Sequence, residues 1–129
     1  MRVERRGATA VEFAITAPVF FLFLLAAFEF GWLNVIRHTA DNAAYEAART
    51  AMVPGATAAE ARTKANRLLR IVGTRGARVT VTPDPLTAET EEITVAIAIP
   101  MRRNGLIVPR FTAKTTINAS STLRTERPE

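Results

Sequence analysis

Two carboxylates interrupt the most apolar part of the chain, RRGATAVEFAITAPVFFLFLLAAFEFGW, Arg5 to Trp32: Glu12 near its start and Glu29 near its end. A carboxylate at a membrane boundary is costly unless it is paired or hydrated, so an acid there is a functional hypothesis from the outset. Glu12 lies five residues after Gly7. Left in an intact chain, it rests at an interface near Arg5 and Arg6. In a chain cut after Gly7, the new α-ammonium of Ala8 would lie about one helical turn from it. Amine and carboxylate would then neutralise each other in low dielectric, within one chain or between neighbours stacked with an axial shift. Glu29 is close enough to the outer boundary to extend its head there along an apolar stem. Residue types alone give it no further role.

The remaining polar chemistry is sparse. The chain has no cysteine and one histidine, His38, which leaves no thiol nucleophile, disulfide or ordinary His/Cys metal centre. His38 falls on the helix just beyond Trp32, where an exposed surface residue is the simple reading. Asp84, Glu89, Glu91 and Glu92 crowd one connection. Their spacing is not that of an EF-hand and lacks its glycine, so a solvated acidic loop is the better reading. Glu46 and Glu60 have no evident acid–base partner. No Gly-x-Ser-x-Gly, phosphate-binding glycine loop or HExxH is present. The chain reads as a non-enzyme without a cofactor.

The elements that position these residues begin with the apolar run. Phe13 to Phe28 contains no charge, and Phe13 to Trp32 contains only Glu29. Such a helix spans roughly 30 Å, the thickness of one hydrocarbon core. Trp32 suits an interfacial anchor. Arg2, Arg5 and Arg6 on the N-terminal side place the N-terminus in the cytoplasm and the rest outside. Pro18 leaves the carbonyl of Ala14 without its helical donor. Membrane helices tolerate this where neighbours or threonines re-satisfy the backbone, and Thr16 is nearby. A cleaved secretory signal is the rival, with Ala26-Ala27 as a weak exit. The length of the run, and a helical pattern that continues past it, favour a retained anchor. Arg5-Arg6 has no recognisable remainder of a twin-arginine signal.

From Leu33 the pattern stays helical, with Ile36, Ala40, Ala43, Ala44, Ala47 and Ala51 on one stripe suited to close packing. One helix is expected from about Phe13 to Met52, ended by Pro54-Gly55. Thr57 to Glu60 forms a capping box for a helix reaching about Val72, with Gly73 as its C-terminal cap. Its basic residues Arg62, Lys64, Arg67 and Arg70 form a solvated face or one that meets an acidic partner or lipid headgroups. The period then changes to two in ARVTVTP, EEITVAIAIP and RFTAKTTINASSTLRTE. The last is expected to present Phe111, Ala113, Thr115, Ile117, Ala119, Ser121 and Leu123 on one face. The fold class is α+β: a long N-terminal helix that spans the membrane and extends outward, then a second helix packed on a three-stranded antiparallel sheet. The organisation is a basic cytoplasmic leader 1–7, a transmembrane helix 8–32, an extracytoplasmic domain 33–125 and a polar tail 126–129.

Net charge is +5, but the positive residues are scattered and beyond Trp32 the only aromatics are Tyr45 and Phe111. Without a basic cluster interleaved with aromatics, nucleic-acid binding is not expected. Arg6-Gly7, Ala8-Thr9-Ala10-Val11 and Glu12-Phe13, followed by an apolar helix, resemble a type IV prepilin signal. More specifically, Val11-Glu12-Phe13, Pro18 and Glu29-Phe30-Gly31 resemble the TadE-like family of tight-adherence (Flp-type) pilus assembly proteins. The likeness continues into NAAYEAART and VPGAT and covers about the first half of the chain. It implies cleavage between Gly7 and Ala8 by a prepilin peptidase, subunit registration through Glu12 and Phe13, and a helix carrying Pro18, Glu29 and Trp32 as anchor. It also implies partners: other pilins or pseudopilins, inner-membrane platform proteins and membrane lipid. The expected location is the bacterial inner membrane. The expected role is a minor pseudopilin-like subunit of pilus biogenesis or related secretion. The alternative is a single-pass anchored module, unrelated to pili, that binds envelope material.

Overall fold

The computed structural model describes residues 4–125, with side chains from Gly7 onward. The tail 126–129, Arg2 of the leader and the side chains of Arg5 and Arg6 lie outside the described residues. A single helix, α1, occupies Glu4–Ala51, 48 residues or roughly 70 Å at helical rise. It starts earlier than the expected Phe13. Ala8 and Ala10 are strong helix formers, and one glycine at position 7 costs only about 1 kcal/mol. The helix runs unbroken through Pro18. The Thr16 hydroxyl donates to the Glu12 carbonyl at 2.8 Å, so it does not serve the carbonyl of Ala14 that Pro18 leaves unbonded.

The two halves of α1 have opposite surroundings. The N-terminal half includes an 18-residue window of mean hydropathy 2.2 of which none is buried, long and apolar enough to cross a membrane. Beyond Trp32, Ile36, Ala40, Ala43, Ala44, Ala47, Ala48 and Ala51 are all buried. The alanine stripe is the seam along which α1 meets the domain. The second helix, α2 (Ala58–Ile71), answers with Ala58, Ala61, Ala65 and Leu69. Small residues on both sides let the two backbones approach closely.

Capping chemistry fixes both ends of α2. Thr57 Oγ1 accepts from the Glu60 amide while the Glu60 carboxylate accepts from the Thr57 amide, a reciprocal capping box. At the other end, the Gly73 amide reaches the Arg70 carbonyl and the Thr74 amide the Leu69 carbonyl. Gly73 adopts φ 68°, which completes a Schellman motif.

Three strands follow: β1 (Arg78–Thr82), β2 (Glu92–Pro100) and β3 (Thr116–Arg124). They pair antiparallel in the order β1-β2-β3. Val79 pairs with Ile97 and Val81 with Val95, while Ile97 pairs with Ala119 and Ile99 with Ile117. Because strand side chains alternate, this register gathers the odd-numbered residues on the face packed on the two helices. Ile93, Val95, Ile97, Ile99, Ile117 and Ala119 are buried there. The opposite face is open and carries Thr80, Ser120 and the Thr94–Thr122 hydroxyl pair at 2.8 Å.

One expectation is corrected. The third strand does not begin at Arg110. Residues before Thr116 form a loop, with Phe111 exposed and Thr112 buried against the alternation expected of a strand. The Thr115 amide closes a turn on the Thr112 carbonyl at 2.9 Å. Pro109 has no amide to offer a ladder, and the amides of Phe111 and Thr112 are engaged by a residue of α1.

Candidate functional site

That residue is Glu29. Its Oε1 accepts from the Phe111 amide at 3.0 Å, the Thr112 amide at 2.7 Å and the Thr112 hydroxyl at 2.7 Å. Thr112 itself is almost wholly enclosed. A carboxylate is an acceptor-only group able to take several donors. Here it satisfies two loop amides and a hydroxyl that the sheet does not. One turn on, the Trp32 indole N–H donates to the carbonyl of Asn104 at 2.7 Å. Beside them the rings of Phe30 and Phe111 lie 6.4 Å apart. Glu29, Phe30 and Trp32 therefore hold both ends of the segment Asn104–Thr112 to α1 where the exposed half of that helix meets the domain.

Asn104 secures the segment from the domain side. Its side-chain amide donates to the carbonyls of Arg75 and Pro100, both at 2.8 Å, and its Oδ1 accepts from the Arg75 amide at 2.7 Å. The short helical turn Met101–Arg103 delivers it there, with the Asn104 amide bonded to the Met101 carbonyl. Gly105 must be small. A Cβ at that position would stand 2.6 Å from the Ile107 carbonyl oxygen and 2.8 Å from Pro109, closer than real Cβ atoms come. Between these clamps Leu106, Ile107 and Val108 project outward, Val108 at 81% exposure. With Leu22, Leu25 and Phe28 of α1 they line an open cleft.

The other residues singled out from the sequence stand apart from this junction. Gly7, Ala8, Glu12 and Phe13 are exposed on the N-terminal part of α1. Nothing lies within 4 Å of the space a Gly7 side chain would fill. Glu12 and Glu29 are separated by about 25 Å of helix. Pro18 is exposed between them and His38 is exposed beyond them. Arg62 of the basic face of α2 pairs with Asp84, and Glu92 pairs with Arg124. Two of the four clustered acids thus meet arginines of this chain. Among the described residues no three His, Cys, Asp or Glu side chains gather as a metal site.

Sequence reasoning located Glu29 and Trp32 but missed Asn104, Gly105 and Thr112. The available signal was the apolar Gly105-Leu106-Ile107-Val108-Pro109 run, set between Arg102-Arg103 and Arg110. An apolar tip with basic flanks is unusual for a solvent loop. Chemically, the junction spends its carboxylate on the Phe111 and Thr112 donors. It fixes the orientation of the domain about α1.

No curated protein and no solved structure matches this chain. Residues 7–49 match the family model described as TadE-like protein. That stretch begins at Gly7, carries Glu12, Pro18, Glu29 and Trp32, and ends inside the buried alanine stripe. Over that stretch, about a third of its length, the chain is similar to TadE-like proteins.

Proposed function

We propose that this chain is a minor pseudopilin-like component of tight-adherence pilus biogenesis or a related secretion system. Its apolar helix anchors it in the bacterial inner membrane, with the N-terminus inside and the α+β domain outside, and it acts through helix-mediated assembly. The observation that carries this reading is the match to the TadE-like family over residues 7–49, which coincides with a helix whose apolar half is left unburied by its own domain. Glu12 lies on that half, exposed and without a side-chain partner among the described residues. A lone carboxylate on an apolar helix calls for a cation from elsewhere. The freed amine of an Ala8-initiated subunit has the right charge and axial position. Unbroken helix through Ala26-Ala27 supports a retained anchor over a signal cleaved near Phe28.

In this scheme the chain is the substrate of a prepilin peptidase rather than an enzyme. Other pilins and an inner-membrane platform protein are its partners. The test is Glu12→Ala in a pilus-producing cell. The variant is expected to enter the membrane at the normal level and to be absent from purified assemblies. Its co-isolation with pili at the level of the unaltered protein would rule out subunit registration by Glu12.

A further inference from the structure

The segment Gly105–Arg110 is held in an unusual place. Its apolar side chains do not fold into the domain: Leu106, Ile107 and Val108 are each more than half exposed. They are held beside α1 on the side of Glu29 away from the domain core, where they share a cleft with Leu22, Leu25 and Phe28. Leu22 lies seven residues before Glu29, about 10 Å along the helix axis. The loop therefore reaches past the carboxylate toward the part of α1 that is apolar on all sides.

Depth, chemistry and charge agree on one occupant. Elements that lie in a membrane surface sink roughly 5–10 Å into the boundary between headgroups and acyl chains, which is the reach of this loop beyond Glu29. Irregular backbone at that depth needs its polar groups satisfied. At the base of the tip the Phe111 and Thr112 amides are taken by Glu29 and the Asn104 carbonyl by Trp32, Pro109 has no amide, and the tip's own amides are left to headgroup water and phosphate. The exposed cations Arg102, Arg103, Arg110 and Lys114 flank the apolar tip, where lipid phosphates would lie. The geometry points to the Leu106–Val108 tip as a second membrane contact, inserted in the leaflet that faces the domain. Glu29 and Trp32 set its depth relative to the anchor. This contact rests on the reading of α1 as a membrane span. It fixes the tilt and rotation of the domain on the bilayer, which a single helix alone leaves free.

The chain has no cysteine, so single labels report single sites. Ile107→Cys, Phe23→Cys and Ser120→Cys are labelled with a polarity-sensitive fluorophore. The full chain is reconstituted in vesicles of phosphatidylcholine and phosphatidylglycerol carrying brominated lipids. The Ile107 label is expected to shift to the blue and to be quenched most by bromines just below the headgroups. The Phe23 label should be quenched most by deep bromines, and the Ser120 label, on the open face of the sheet, by neither. An Ile107 label that stays unquenched while the Phe23 label is quenched overturns the insertion and leaves the anchor standing. An unquenched Phe23 label overturns the anchor as well. An Ile107 label shielded from aqueous iodide, unquenched by bromine and exposed on dilution of protein in the vesicle overturns lipid insertion in favour of a second copy.

Discussion

At the scale of single residues, the two carboxylates that interrupt the apolar run have different work. Glu12 is exposed on open helix, and in the proposed assembly its partner comes from another molecule. Glu29 already has its partners, three donors converging on one oxygen from a loop more than eighty residues away in sequence. Glu29→Ala would leave the Phe111 and Thr112 amides without that acceptor. It is expected to speed hydrogen exchange at those two amides while leaving exchange in β2 unchanged. Unaltered protection at Phe111 and Thr112 would show that the loop is held by something else. Local spacing located Glu29 but could not supply its role, because both hydrogen-bonding residues arrive through tertiary folding. Periodicity extended β3 back to Arg110 for the same reason: Thr112 has a strand-like neighbourhood in sequence, yet its amide belongs to Glu29.

At the scale of elements, the packing seam was legible because it is periodic. Ile36, Ala40, Ala43, Ala44, Ala47 and Ala51 recur at helical spacing, and all are buried against α2 and the sheet. Ala44 and Ala61 are fully enclosed, so a larger side chain at either forces the layers apart. Ala44→Leu or Ala61→Leu is expected to destabilise the protein by about 1–3 kcal/mol, read as a lower denaturation midpoint of the full chain in detergent. An unchanged midpoint would mean that the seam has slack the enclosed alanines do not indicate. The 104–109 part of the loop was not legible, since it has neither a period of two nor one of 3.6. It is defined by Asn104, whose three side-chain hydrogen bonds all lie within the domain. Asn104→Ala leaves the part-buried Arg75 amide and the Pro100 carbonyl without these partners. Its expected cost is about 1–3 kcal/mol, measured by the same midpoint.

At the scale of the whole molecule, one continuous helix joins an apolar membrane-length half to a buried half. The junction of Glu29 and Trp32 with Asn104 and Thr112 keeps the domain from swivelling about it. A rigid link of this kind would transmit the register of the apolar helix, which in the proposed function is set by Glu12, to the position of the domain. The second helix and the three antiparallel strands followed from caps and alternation. The way the domain returns to grip α1 did not, because it depends on contacts between the two ends of the chain. In the proposed function the apolar helix is a pilin-type helix with an amine placed next to Glu12. N-terminal sequencing with intact-mass analysis of membrane-extracted protein, from cells with an active prepilin peptidase, tests it most directly. A mature chain beginning at Ala8 is the predicted result. A chain that still carries Arg5 and Arg6 ahead of Gly7, or one that begins near Phe28, would contradict it.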